Sequence, residues 1–162
     1  MSEIEELASR LEGLLLEEAA FLEEGARRLR LERKALISGE TALLEEALGR
    51  WQELAEVRRE RDRRRTVLLD RLSALTGLRP GEVSISRISG RLTPVVRARL
   101  LRAGEKVKTA ARRAALEAAV GGELLEEAAR FHEGLLRTIG DALHRRGLSA
   151  EGPGISLLDA RG

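Results

Sequence analysis

A chain of 162 residues with 35% charged and only 2% aromatic side chains lacks the material for a thick globular core, and a single domain of long, thin, ion-paired helices is expected. The absence of cysteine excludes a disulfide framework and a thiolate metal site, and no run approaches the roughly 18 apolar residues of a membrane span. Its 29 basic residues nearly cancel 27 acidic ones, and the remaining +2 is too little for bulk attraction to nucleic acid.

The start, MSEIEELASRLEG, is acidic and amphipathic where a signal peptide is basic and then apolar, so a cytoplasmic protein without membrane insertion is expected. From residue 3 to 77 apolar residues recur at spacings of three and four, among them Ile4, Leu7, Leu11, Leu15, Leu22, Leu29, Leu36 and Leu43. This is the signature of long helices. The stretch KALISGETALLEEA, residues 34–47, decides between one rod and two antiparallel arms. Gly39 suits the left-handed position that ends a helix, and Thr41 suits the N-cap of the next, with Glu45 and Glu46 near its positive end.

A reversal at Gly39 predicts helices over 3–37 and 41–77, whose facing residues have numbers summing to about 79. Ile4 then faces Leu75, Leu7 faces Leu72, Leu11 faces Leu68, Leu22 faces Val57, and Leu36 faces Leu43. The same register sets Glu18 against Arg61 and Trp51 beside Arg28, where guanidinium stacking is expected. Two such arms bury too few side chains to offset the entropy of ordering them. A further long helix or a second copy should therefore pack along them.

TGLRPGEV, residues 76–83, reads as a loop because of Gly77, Pro80 and Gly81. SISRISGRL, residues 84–92, reads as a short helix behind a Ser84 cap. From Pro94, a natural first-turn residue, a long helix is predicted over 94–146, with small residues along the middle of its apolar seam and a kink or break open at Gly121 and Gly122. The predicted architecture is all-α: a helical bundle over 1–147 built on the hairpin, then a flexible tail over 148–162.

Residues with catalytic chemistry are sparse. His132 and His144 stand without cysteine support and read as solvated helix surface, and Gly121-Gly122 follows no strand and forms no phosphate loop. Neither an enzyme activity, a cofactor, a metal nor a small-molecule substrate is expected. RRERDRRR, residues 58–65, is the one dense charge run. Against Glu17, Glu18, Glu23 and Glu24 of the first arm it reads better as an ion-paired face than as a nucleic-acid patch.

The last helix carries more apolar surface than one neighbour covers. Leu124, Leu125, Phe131, Leu135, Leu136, Ile139 and Leu143 form a wide stripe, because adjacent leucines point about 100° apart. Core packing is its first duty, and the surplus could form a groove for another protein's amphipathic helix. Ile155, Leu157 and Leu158, beyond a Gly-Pro-Gly hinge, could fold back, stay loose or join that surface.

Residues 21–69 resemble FlgN-type flagellar export chaperones. The shared pattern is Glu32, Ala35 and Leu36 at the end of the first helix, Gly39 and Glu40 in the turn, and Glu60 and Arg63 in the second helix. It continues weakly through GGELLEEAARFHEGLL and into the tail ending SLLDARG. Where the family often has two asparagines before the Leu-Leu of the last helix this chain has Ala118 and Gly121, and Ser149 stands nearest the family's tail tyrosine. The resemblance implies a cytoplasmic, ATP-independent chaperone that binds the terminal amphipathic helices of hook-associated, hook-filament junction proteins before type III export. It leaves contact with the export apparatus and a homodimer open. On that reading residues 124–158 are the client surface and the hairpin is scaffold; a coiled-coil adaptor acting through self-association is the alternative.

Overall fold

The computed structural model describes residues 1–145, apart from the side chains of residues 48, 125, 128, 129, 131, 132, 135 and 143. Its long elements are the helices α1 (Glu3–Ser38), α2 (Thr41–Thr76) and α4 (Pro94–Arg145). A short helix α3 (Ile85–Ile88) lies between α2 and α4, flanked by 3-10 turns at Pro80–Glu82 and Ser89–Arg91. There is no strand among the described residues, and the protein is an antiparallel helical hairpin with further helices. The expected tail, with Ile155, Leu157 and Leu158, lies outside the described residues. The chain divides into two compact units, Met1–Gly121 and Gly122–Gly162.

In the first unit the reversal falls at Gly39, whose φ of 72° is left-handed, a conformation that only glycine adopts without strain. The Glu40 N–H then bonds back to the Ala35 carbonyl at 3.0 Å and satisfies one of the orphan acceptors of α1. Glu40, and not Thr41, occupies the N-cap of α2, and its side chain makes no capping bond. The tight turn starts the second helix one residue earlier than the threonine signal suggests.

The hairpin register follows the expected sum closely. Arg61 meets Glu18 at 2.5 Å and Arg64 meets Glu17 at 2.6 Å, while Leu7, Leu11, Leu68 and Leu72 share one core cluster. Burial does not extend to every expected pair along the arms, since Val57, Leu43 and Leu75 are exposed. Trp51 also departs from expectation. Its indole N–H donates to Glu32, while Arg28 pairs with Glu24 of its own helix at 2.9 Å. An intrahelical partner four residues away costs a flexible arginine less order than one across the seam. The guanidinium that does lie over a ring is that of Arg61, 4.4 Å from the Phe21 centroid.

α4 runs parallel to α1 within this unit. Glu5 accepts from the Thr93 N–H at 3.2 Å, Glu12 accepts from Arg99 at 3.2 Å, and Glu117 accepts from Arg33 at 2.8 Å. The partners are separated by 88, 87 and 84 positions, a nearly constant offset that only parallel helices give. Buried Ala19 and Ala103, and buried Ala26 and Ala110, stand at the same separation as Arg33 and Glu117. Small side chains at those positions leave room for long Arg–Glu pairs on the flanks.

The larger apolar residues gather at the end remote from Gly39, where Leu7, Leu11, Leu68, Leu72, Ile88, Leu92 and Leu100 are buried together. The predicted 84–92 helix is divided there: Ser84 accepts from the Arg87 N–H at 3.3 Å and caps α3, and the chain tightens to 3-10 at Ser89. This bend drops both Ile88 and Leu92 into the core. Arg91 donates to the Leu75 and Thr76 carbonyls at 3.3 and 3.1 Å, placing a cation at the negative end of α2. A Cβ at Gly104 would come within 2.9 Å of Ile85 Cδ1, so glycine permits this close approach.

Glu5 serves two helix starts at once. Its carboxylate accepts from the Ser2 N–H at 3.1 Å, closing the first turn of α1, and from the Thr93 N–H just before α4. Bonds to the charged form, from Ser2 first and then Thr93, hold its pKa below the ordinary value of 4.5. A depressed carboxylate contributes stability that is present above the ordinary glutamate value and is lost as pH falls through the folded one. A melting series from neutral pH downward should therefore show a fall in Tm beginning near pH 4.5, with a shallower fall in Glu5→Gln.

Candidate functional site

In the second unit the described segment, residues 122–145, is the distal part of α4 and is helical throughout. Local bonds brace it: the Thr138 hydroxyl donates to the Gly134 carbonyl at 2.9 Å, and Arg130 pairs with Glu126 at 3.7 Å. Of the predicted apolar stripe, Leu124 is half-buried, Leu136 is 51% exposed and Ile139 is 48% exposed. The side chains of Leu125, Phe131, Leu135 and Leu143 lie outside the described set, as do Ile155, Leu157 and Leu158. Leu136 and Ile139 are three apart, so they share one face of the helix. Half their surface is open to water.

The dense arginine run sits in α2. Five of its six arginines have carboxylate partners: Arg61 and Arg64 reach Glu18 and Glu17 across the seam, while Arg58, Arg59 and Arg63 pair with Asp62, Glu56 and Glu60 along the helix. The Glu17 hydrogen bond raises the pKa of Arg64 above its ordinary value. Glu23 is exposed and Glu24 is taken by Arg27 and Arg28, so only two of the four expected acidic partners face the run. No group of three or more His, Asp or Glu side chains could hold a metal among the described residues, and none of the described helices is long and apolar enough to cross a membrane.

Within the first unit α4 lies parallel to α1 beside the hairpin, and in the second Leu136 and Ile139 form a half-exposed apolar face. The family model described as FlgN protein matches residues 1–148. The chain belongs to the FlgN family. It is therefore a flagellar chaperone, of a family that acts in flagellum assembly and export and is not one of enzymes. No match was found among curated proteins or among solved structures.

FlgN membership covers both the hairpin and the described part of the distal helix. Leu43 and Val57, expected to face Leu36 and Leu22, are exposed on the hairpin, as are Leu31 and Val67. Leu43 and Val57 stand fourteen apart, two seven-residue steps along α2.

Proposed function

We propose that this FlgN-family chain binds the terminal amphipathic helices of hook-associated, hook-filament junction proteins in the cytoplasm and keeps them from assembling before export. The action needs no nucleotide, cofactor or small-molecule substrate. Residues 124–158 carry the client surface, with Leu136 and Ile139 as its described part and Leu124, Leu125, Phe131, Leu135, Leu143, Ile155, Leu157 and Leu158 extending it. The observation that supports this reading most is that Leu136 and Ile139 are about half open to water on a helix that the family match spans.

The physical logic is one of masking. Subunits that polymerise through terminal helices expose an apolar face until they assemble, and a second apolar helix covers that face reversibly. Titration of the chain with a peptide comprising the C-terminal helix of a hook-filament junction protein should give saturable binding. Deleting residues 124–162 should abolish it, and Leu136→Asp combined with Ile139→Asp should weaken it at least about tenfold, since two charges would enter an apolar contact. Unchanged affinity in both variants would contradict the assignment.

A further inference from the structure

We propose that the open seam between α1 and α2 docks an acidic amphipathic helix of a partner protein, independently of the client surface on the distal part of α4. Two hollows lie along this seam. One of about 520 Å³ has Gly13, Leu14, Val67 and Leu68 among its lining, and another of about 460 Å³ near the Gly39 turn includes Leu31, Leu43 and Ala47. On α1 the lining residues Arg10, Glu17, Leu31 and Ser38 fall on one seven-residue ladder, and on α2 so do Leu43, Arg50, Arg64 and Arg71. The hollows thus belong to one continuous face of the hairpin.

That face is distinct from the side of α1 that meets α4. Glu5, Glu12 and Arg33 bond to Thr93, Arg99 and Glu117, and they stand on a ladder displaced five positions from Arg10 and Glu17, about 140° around the helix. Exposed apolar residues mark the seam. Leu31, Leu43, Val57 and Val67 are 53, 49, 56 and 57% exposed. Scattered apolar residues are ordinary on a surface, but Leu43 and Val57 stand two heptads apart on α2, and Leu31 and Leu43 line one hollow while Val67 lines the other, so both helices turn apolar side chains to the seam.

Charge identifies the occupant. In the first hollow Arg10, Arg63, Arg64 and Arg71 oppose Glu17 and Glu60, and in the second Arg27, Arg28, Lys34 and Arg50 oppose Glu40 and Glu46. The first has four positive against two negative charges, a surplus of two; in the second Arg27 and Arg28 are also held by Glu24, which leaves a surplus of one. Glu17 and Glu60 are already engaged by Arg64 and Arg63, and Glu46 by Arg50. Arg10, Arg71 and Lys34 have no ion pair among the described residues. A second copy docked by the same face would set surplus against surplus, which disfavours it. A helix with leucine or valine toward the floor and glutamate on both flanks fits, and about 28 residues of it would span from Arg10 to Ser38.

The test uses the full chain and a fluorescein-labelled synthetic helix of about 28 residues, with leucine and valine at the a and d positions and glutamate at e and g. A control peptide carries lysine in place of every glutamate. Fluorescence anisotropy should show saturable binding of the acidic peptide and none of the basic one. Affinity should fall at least about tenfold in Arg10→Glu with Arg71→Glu, and also in Val67→Asp; these exposed positions leave the core intact. Leu136→Asp with Ile139→Asp should bind the acidic peptide as well as the unaltered chain does, which separates this seam from the client surface. Absence of acidic-peptide binding, equal binding of both peptides, or binding indifferent to the seam variants would overturn the proposal. So would capture of a labelled oligonucleotide in place of the peptide.

Discussion

Leu72→Ala should lower the free energy of unfolding by about 3–5 kcal/mol, at the upper part of the range for removing a fully buried leucine. Leu72 has no solvent exposure and lies among Leu7, Leu11, Leu68, Ile88 and Leu100. Four elements converge there, so collapse of one side chain into the cavity would have to drag several helices inward. The core of this protein is small, and a loss of this size is a large share of the typical 5–15 kcal/mol of a domain. Leu75→Ala, one turn along the same helix and 40% exposed, should cost less than about 1 kcal/mol. Urea unfolding followed by helical circular dichroism measures both. Equal effects would mean that α3 does not seal this end of the bundle.

The second large effect concerns the pair formed by Arg61 and Glu18. Arg61 is only 3% exposed, its Nη2 lies 2.5 Å from the Glu18 carboxylate, and its guanidinium covers Phe21. Glu18→Ala would leave a charged group inside the hairpin without its counter-ion. The cost expected is about 2–4 kcal/mol, below the 3–5 of a fully buried pair because the Glu18 side chain is 29% exposed. Removing both charges, as Glu18→Leu with Arg61→Met, should cost less than Glu18→Ala alone, since both desolvation terms vanish and the methionine keeps contact with Phe21. A double-mutant cycle by chemical denaturation measures the coupling. Additive single and double effects would show that the pair contributes nothing to the hairpin.

The polypeptide reversal was legible because two independent signals coincide at one place. Gly39 and the turn chemistry around it mark the stop, and the sum register derived from that stop brings Leu7, Leu11, Leu68, Leu72, Glu18 and Arg61 into their observed relations. Periodicity places residues on faces but says nothing about which of several arginines or glutamates a long side chain will choose. The register therefore sets Trp51 beside Arg28, whereas its indole N–H donates to Glu32. The direction of α4 was not readable either. Its partners Glu5, Glu12 and Arg33 lie 84 to 88 positions away, and no local pattern encodes so distant a register.

The candidate site was legible to a different degree. An apolar stripe wider than one neighbour can cover is visible in sequence; of its described side chains, Leu136 and Ile139 are about half exposed and Leu124 is half-buried. The exposed line on the hairpin was hidden because Leu43 and Val57 satisfy the same seven-residue spacing that core residues satisfy. A heptad ladder shows that side chains share a face. It does not show whether anything packs against that face, which depends on where α4 lies.

Hydrogen exchange on the full chain, free and bound to a hook-filament junction protein, tests the central claim most directly. Amides of residues 122–145 should gain strong protection in the complex, while those of the hairpin core around Leu7 and Leu72, already bonded and buried, should change little. Protection confined to α1 and α2, with residues 122–145 exchanging as in the free chain, would contradict the assignment of the client surface to the distal part of α4.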